Sequence, residues 1–146
     1  MKIELILSDK KQFLPLLLLA DPSEEMIDRY LEHGDLYYMK VEEETVCIAL
    51  VLALDEQRCE LKNIATAEAH QGRGYATAMI EYLCTRYAGH FEHMLVGTAA
   101  LGQPFYEQRG FAYSHVVKNF FVDNYPEPLI EEGVQHIDMV YLSRKL

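Results

Sequence analysis

The chain has 146 residues and a mass of 16.9 kDa, which suits one folded domain, and we predict a single domain over residues 1–146. Hydrophobic residues make up 50% of the chain, which argues for a folded protein rather than a disordered one. The formal net charge of -10 argues against nucleic acid or an anionic membrane as the main partner, because both favour basic surfaces.

The cysteines and the first residues indicate the compartment. Three cysteines lie in apolar runs, none of them in a C-x-x-C pair, and we expect buried free thiols in a reducing compartment. They are Cys47, Cys59 and Cys84. Glu4 and Asp9 interrupt any signal peptide, and the leucine run at 16–19 is too short to span a bilayer. The sequence therefore predicts a cytoplasmic protein without a membrane partner.

The first half of the chain alternates between strands and helices. Hydrophobic periodicity predicts a strand at 2–7, then a helix at 10–20 that tolerates Pro15 in its first turn. A second helix follows the capping residue Ser23 and ends before Gly34. Further strands are predicted at 35–41, 45–54 and 58–67, with acidic residues in the turns between them.

The second half has fewer hairpin signals and one long polar loop. We predict a long helix that ends at residue 88, a strand at 93–98 and a short helix at 102–109. A strand at 111–121, a loop at 123–133 and a final strand at 135–142 complete the chain. Strands outnumber helices and several are joined as hairpins, which favours an α+β fold with a mixed sheet.

The stretch from Gln71 to Ala76 separates the third of these strands from the long helix, and it contains Gly72 and Gly74. Glycine lets the backbone approach a ligand closely, and the free amides of the first helical turn attract an anion such as phosphate. Arg73 adds a positive charge. The alternative is an ordinary strand-to-helix turn. The stretch is neither a nucleotide P-loop, because no Gly-Lys-Ser/Thr follows, nor a full dinucleotide fingerprint.

Two motifs resemble those of the GNAT superfamily of N-acetyltransferases. Gln71, Gly74 and Ala76 match the Gln/Arg-x-x-Gly-x-Gly/Ala pattern of its acyl-CoA pyrophosphate loop, and residues 104–111 resemble its "FYEKxGF" segment. The resemblance covers residues 58–122 and implies an enzyme that uses acetyl-CoA. It also implies the GNAT fold, a mixed and mostly antiparallel sheet of about seven strands flanked by about four helices, splayed beside the loop.

The resemblance implies acetyl-CoA contacts from the loop and from the preceding strand. The implied residues are Ile64, Ala65, Thr66, Gln71, Gly72, Arg73, Gly74, Tyr75, Ala76 and Gln103. Relatives often place an asparagine near the position of Gln103, where it contacts pantetheine, so this chain departs from the pattern there. The six histidines form no His-Glu-x-x-His pattern, and we predict no metal site.

Transfer of an acetyl group to an amine requires that the amine lose a proton, and the leaving thiolate gains from a proton donor. Glu60 is the candidate base, because it occupies the position of the catalytic glutamate in the histone-acetylating branch of the superfamily. Alternation along the strand predicts one shared face for Glu60, Lys62, Ile64 and Thr66. The alternatives are a solvated Glu60 that pairs with Lys62 and a base made of ordered water. Tyr106 is the candidate acid, and a core aromatic residue is its alternative.

The acceptor is expected to be a primary amine on a small molecule or peptide. Four acidic residues crowd the predicted loop at 123–133, which favours a cationic acceptor, although acids that serve only solubility are the alternative. They are Asp123, Glu127, Glu131 and Glu132. A non-catalytic acyl-CoA sensor is the second functional hypothesis. Dimers are common in the family, so the resemblance also carries the expectation of a homodimer.

Overall fold

A computed structural model describes residues 1–146, and its centre is a seven-stranded sheet. The strands are β1 (Lys2–Ile6), β2 (Asp35–Val41), β3 (Glu44–Ala53), β4 (Arg58–Thr66), β5 (His93–Thr98), β6 (Ala112–Val117), β7 (Ile130–Glu131), β8 (Val134–Gln135) and β9 (Met139–Lys145). The sheet order is β1-β2-β3-β4-β5-β9-β6, and only the β4–β5 pair is parallel. Strands β7 and β8 form a separate hairpin. The predicted α+β class and mixed seven-stranded sheet are confirmed.

Five α-helices accompany the strands, one more than the sequence predicted. They are α1 (Leu14–Ala20), α2 (Glu24–Tyr30), α3 (Tyr75–Tyr87), α4 (Gln103–Glu107) and α5 (Phe120–Asn124), with short 3₁₀ turns at Lys10–Phe13, Leu31–His33, Glu68–His70 and Ala100–Gly102. Ser23 caps α2 as predicted, since its hydroxyl accepts a hydrogen bond of 3.2 Å from the amide of Met26. None of the helices has the length and apolar character needed to cross a bilayer.

The sheet has a helical layer on each face. On one face α3 contributes Met79, Ile80 and Leu83, all fully buried, to a cluster with alternate residues of β3 and β4. On the other face Leu17 of α1 and Ile27 of α2 belong to a second buried cluster. Strand β3 contributes to both clusters and therefore lies at the centre of the protein. The three cysteines are free and buried, as predicted.

The β4 strand is irregular where it leaves its parallel neighbour. It pairs with β5 from Arg58 to Leu61 and no further, so the two strands separate beyond that point. A bulge lies at Lys62, because consecutive β3 residues pair with Asn63 and with Leu61. The separation leaves backbone groups of β4 without a β5 partner at the centre of the sheet.

The bulge reverses the face predicted for the residues of β4 that follow Lys62. Lys62 Nζ lies 5.5 Å from the centre of the Tyr30 ring, and Asn63 donates a hydrogen bond to the same tyrosine hydroxyl, so two consecutive residues share one face. Ile64 instead packs against the cluster on the α3 side. The prediction that Glu60 and Lys62 share a face with Ile64 and Thr66 is therefore wrong, because one extra residue in β4 reverses the alternation.

The carboxyl-terminal segment differs from the sequence prediction in three places. The strand predicted at 111–121 ends at Val117, the loop predicted at 123–133 contains the end of α5 and all of β7, and the final strand begins at Met139 rather than at residue 135. Asn119 turns the chain with a φ of 59°, and its amide donates to Asp138 Oδ1 at 2.9 Å. Aromatic residues favour strands in sequence patterns, but here this turn directs them into α5.

Candidate active site

The glycine-containing stretch forms a loop between β4 and α3. Gly72 and Gly74 have φ values of 77° and 86°, a left-handed conformation that other residues adopt only with strain. The Gln71 side chain donates a hydrogen bond of 3.1 Å to the Thr66 carbonyl, which fixes the loop to the end of β4. Helix α3 starts at Tyr75, so its first amides face the loop. This loop geometry supports the predicted anion site, which stays a prediction.

A cleft of about 510 Å³ lies over this loop, and we call it the loop cleft. Its lining comprises Leu19, Ala20, Ile64, Ala65, Thr66, His70, Gln71, Gly72, Gly74, Tyr75, Ala76, Thr77, Phe105, Tyr106 and Arg109. Eight of the ten residues predicted to bind the cofactor are among them. The other two are not: Arg73 is exposed on the loop, and Gln103 lies in the first turn of α4.

Arg109 is a lining residue that the sequence analysis did not single out. Its guanidinium lies 3.8 Å from the centre of the Phe105 ring, donates from Nε to Thr77 Oγ1 at 2.8 Å, and donates from Nη1 to the Phe105 carbonyl at 2.8 Å. These contacts hold a permanent positive charge at the wall of the loop cleft. The sequence feature that could have identified Arg109 is its position within the segment 104–111, four residues after Phe105.

His70 is another lining residue with a defined partner. Its Nε2 atom lies 3.1 Å from Glu44 Oε1, and its Nδ1 atom is buried without a hydrogen-bond partner. The ring also makes an edge contact with Tyr75, at 6.3 Å between ring centres. His70 therefore packs the loop against the start of β3.

A second cleft of about 680 Å³ is lined by residues of both β4 and β5 where the two strands separate, and we call it the aromatic cleft. It is lined by Leu19, Ala20, Asp21, Pro22, Met26, residues 61–64, residues 96–99, Gly102, Tyr106, Phe120, Phe121, Tyr125, residues 128–131, His136 and Met139. Four residues line both clefts: Leu19, Ala20, Ile64 and Tyr106. The two clefts thus meet where β4 and β5 separate.

Tyr106 stands at this junction. Burial raises the pKa of its hydroxyl to about 12, although the Arg109 charge acts in the opposite direction. The hydroxyl therefore stays protonated at neutral pH, and it makes no hydrogen bond to another protein group. The ring packs against Phe105 and Phe111, with centres 5.1 Å and 5.9 Å away. Tyr106, whose hydroxyl keeps its proton, thus lines both clefts.

Glu60 is buried, with 7% of its surface exposed, so the solvated alternative is wrong. Burial raises the pKa of its carboxyl group, while Lys62 acts in the opposite direction with its Nζ atom 3.9 Å from Glu60 Oε2. The carboxyl group lines neither cleft, whereas Lys62 lines the aromatic cleft. A raised pKa suits a proton acceptor at neutral pH, but Glu60 itself lies behind Lys62 and does not line the aromatic cleft.

The acids of the carboxyl-terminal segment are dispersed. Glu131 alone among the four predicted acids lines the aromatic cleft, and its carboxylate lies 3.3 Å from His136 Nε2. Asp123, Glu127 and Glu132 line neither cleft. Asp21, which the sequence analysis did not single out, also lines the cleft. The hypothesis of an acid-lined acceptor site therefore rests on fewer carboxylates than the sequence predicted.

Comparison with known proteins identifies this arrangement. The family model described as "Acetyltransferase (GNAT) domain" matches residues 32–113. The chain belongs to the GNAT acetyltransferase family. The "Uncharacterized N-acetyltransferase YvbK" of Bacillus subtilis (strain 168) is 32% identical over 147 residues, which cover 97% of this chain and 94% of that protein. This GNAT chain is therefore an acyltransferase that takes acetyl groups from acetyl-CoA.

Two solved structures extend the comparison to bound cofactor. A GNAT acetyltransferase from Elizabethkingia anophelis with acetyl-CoA bound is 35% identical, with a TM-score of 0.94, and the match covers 99% of this chain and 97% of that one. A Bacillus subtilis acetyltransferase in complex with CoA is 30% identical, with a TM-score of 0.90 and coverage of 99% and 98%. Both comparisons support acetyl-CoA as the co-substrate of this GNAT enzyme.

Proposed function

We propose that this GNAT enzyme transfers the acetyl group directly to the primary amine of a small molecule. The observation that carries the proposal is the junction of two clefts at Tyr106 and Ile64. Acetyl-CoA in the loop cleft and an amine in the aromatic cleft would meet there without a covalent enzyme intermediate. Holding both reactants at one junction removes much of the entropic barrier of a bimolecular reaction.

The pyrophosphate of acetyl-CoA would lie on the glycine loop, where the backbone amides of Gly72 and Gly74 and the first turn of α3 supply donors. The pantetheine arm would run along β4, whose backbone groups beyond Leu61 have no β5 partner. Arg109 supports this placement, because its positive charge at the cleft wall suits an anionic cofactor. The acetyl carbonyl would then lie near the bulge at Lys62.

Tyr106 would stabilise the departing sulfur. The ordinary pKa of a thiol is about 8.5, so complete transfer of a proton from a hydroxyl of pKa about 12 to a thiolate in water is uphill by ~5 kcal/mol. A hydrogen bond to the developing negative charge costs no such transfer and contributes ~1.5–3 kcal/mol. We infer that Tyr106 donates this hydrogen bond and that solvent completes the protonation of CoA.

Glu60 would accept the proton of the amine. Its raised pKa brings the carboxyl group closer to the working pH, and its side chain lies next to Lys62 at the wall of the aromatic cleft. The carboxyl group does not line the cleft, so a water molecule would carry the proton from the amine to Glu60. This route joins the two bases that the sequence left as alternatives.

The test is to incubate the enzyme with acetyl-CoA and a panel of primary amines. The released CoA thiol and the mass of the product are measured. The proposed function predicts one added acetyl group per amine and equal amounts of released CoA. Release of CoA without an acetylated amine would indicate hydrolysis instead. Saturable acetyl-CoA binding with neither product would favour the non-catalytic sensor.

A further inference from the structure

The aromatic cleft differs from a site for a polar, multiply charged amine. Its carboxyl-terminal wall consists of Phe120 and Phe121 of α5 and of Tyr125, which follows the helix. The Phe121 ring lies 5.3 Å from Phe120, 5.9 Å from Tyr125 and 5.5 Å from His136, measured between ring centres. Four aromatic rings thus form one connected surface on this side of the cleft.

Sulfur and aliphatic side chains also line the aromatic cleft. They belong to Met26 of α2, Met139 of β9, Leu129 and Ile130. Methionine side chains adapt to planar ligands and make favourable contacts with aromatic rings. The lining therefore suits a flat apolar body.

The carboxylates of the cleft already have partners. Asp21 Oδ1 accepts hydrogen bonds from the Tyr125 hydroxyl at 2.8 Å and from the Ser23 amide at 3.2 Å. Asp21 Oδ2 accepts from the Tyr30 hydroxyl at 3.0 Å. This carboxylate connects the segment between α1 and α2 to the end of α5. Its bond to Tyr125 joins two residues of the cleft wall that are 104 positions apart in the sequence.

The aromatic cleft has few charged groups. Glu131 lies beside His136, and Lys62 contributes a positive charge beside Glu60. A second or third ammonium group of a polyamine or aminoglycoside would leave water for a lining with only two carboxylates, Asp21 and Glu131, and a Lys62 charge that repels it. The reacting amine does not bring this desolvation cost, because it must lose its proton and become neutral before it attacks.

We propose that the acceptor is a primary amine carried on an aromatic body, with its ring against the Phe121 surface. The proposal rests on the proposed function, since it assigns a substrate class to the same site. The amine then points toward Tyr106 and the β4 bulge, and the ring lies on the far side of the cleft.

The test compares 2-phenylethylamine with propylamine, spermidine and kanamycin as acceptors. We expect kcat/KM for 2-phenylethylamine to exceed that of each of the other three by tenfold or more, because only its ring is removed from water against the aromatic wall. Phe121→Ala should remove most of this advantage over propylamine while acetyl-CoA binding stays unchanged. Phe121→Leu keeps an apolar side chain and serves as the variant that preserves folding.

Val122→Ala is the matched control, because Val122 lies on the same helix, is 52% exposed and does not line the cleft. The proposal fails if spermidine or kanamycin is preferred, or if Phe121→Ala and Phe121→Leu leave the preference for 2-phenylethylamine intact. The proposed function fails separately, if acetyl-CoA binds and no amine of the panel is acetylated.

Discussion

The loop cleft and the aromatic cleft are built in different ways. Most of the loop cleft comes from three short stretches, 64–66, 70–77 and 105–109, and its lining includes Gly72 and Gly74, which have no side chain. The aromatic cleft takes residues from α1 to β9 and is defined by side chains. A cofactor shared by many enzymes can be bound by glycines and amides, whereas an individual acceptor needs side chains that are specific to one protein.

The largest effect is expected at the backbone of the loop cleft. Gly74 has a φ of 86°, so Gly74→Val combines strain with a side chain at the place proposed for pyrophosphate. We expect the acetyl-CoA dissociation constant to rise ~10²-fold or more. Thermal shift with increasing acetyl-CoA measures this change by mass action.

Gly89→Val is the control for that substitution, since a Cβ at Gly89 meets no atom within 4 Å and its φ is not in the left-handed region. It should bind acetyl-CoA normally. An unchanged stabilisation of Gly74→Val by acetyl-CoA would refute the placement of pyrophosphate on the loop.

The next effect is expected at Tyr106, where the two clefts join. Tyr106→Phe removes one hydroxyl and should lower kcat ~10²-fold, the loss of one hydrogen bond to a charged group. The acetyl-CoA KM should move little, since the bond forms mainly in the transition state. Steady-state kinetics with the best acceptor give both values.

Tyr113→Phe provides the comparison, because Tyr113 is 58% exposed and lines neither cleft. Its kinetics should equal those of the wild type. An unchanged kcat in Tyr106→Phe, with acetyl transfer shown to be rate-limiting, would reduce Tyr106 to a packing residue.

A smaller effect on kcat/KM is expected from substitution of Glu60, because Lys62 separates this residue from the aromatic cleft. A base must be ionised, so kcat/KM should rise with pH through the raised pKa of Glu60. Glu60→Gln should remove this acidic limb and lower kcat/KM about tenfold at the plateau, since water still accepts the proton. The measurement is a pH profile of both proteins.

Stability gives a second readout for the same variant. The pKa of Glu60 is raised from the ordinary value of 4.5, so the folded protein holds the proton more tightly than the unfolded chain. The resulting contribution to stability is fully present below pH 4.5 and is lost as pH rises through the folded pKa. The free energy of unfolding of Glu60→Gln, compared with that of the wild type, should therefore be more favourable at neutral pH than at acidic pH.

The kinetic prediction has a separate contradiction. If the pH profile of kcat/KM keeps its acidic limb in Glu60→Gln, Glu60 is excluded as the base.

The smallest effect separates two neighbouring acids. Glu131 lines the aromatic cleft and Glu132 does not, although the sequence treats them alike. Glu131→Gln should change the acceptor KM about twofold, because a largely exposed charge is screened within ~8 Å at physiological ionic strength. Glu132→Gln should change nothing. If both substitutions change the acceptor KM equally, and the change grows as the salt concentration is lowered, the hypothesis of electrostatic steering by the whole segment is restored.

Much of the loop cleft could be predicted because its signals are local. The change from a period of two to a period of 3.6 marks the end of β4 and the start of α3, and Gly72 and Gly74 satisfy a backbone requirement that needs no distant partner. Tyr106 could be located for a similar reason, since it lies within one continuous motif. Arg109 was missed because its role depends on Thr77, thirty-two residues away.

The sequence by itself determined the α+β class, the order of most elements and the position of the glycine loop. Tertiary structure decided the β4 bulge, which reversed the face of Ile64 relative to Glu60, and the α5 helix, which placed Phe121 in the aromatic cleft. Periodicity reports only the residues within one element. A bulge or a short helix is instead selected by burial against residues far away in the chain, such as Tyr30 for β4 and Asp138 for the turn before α5.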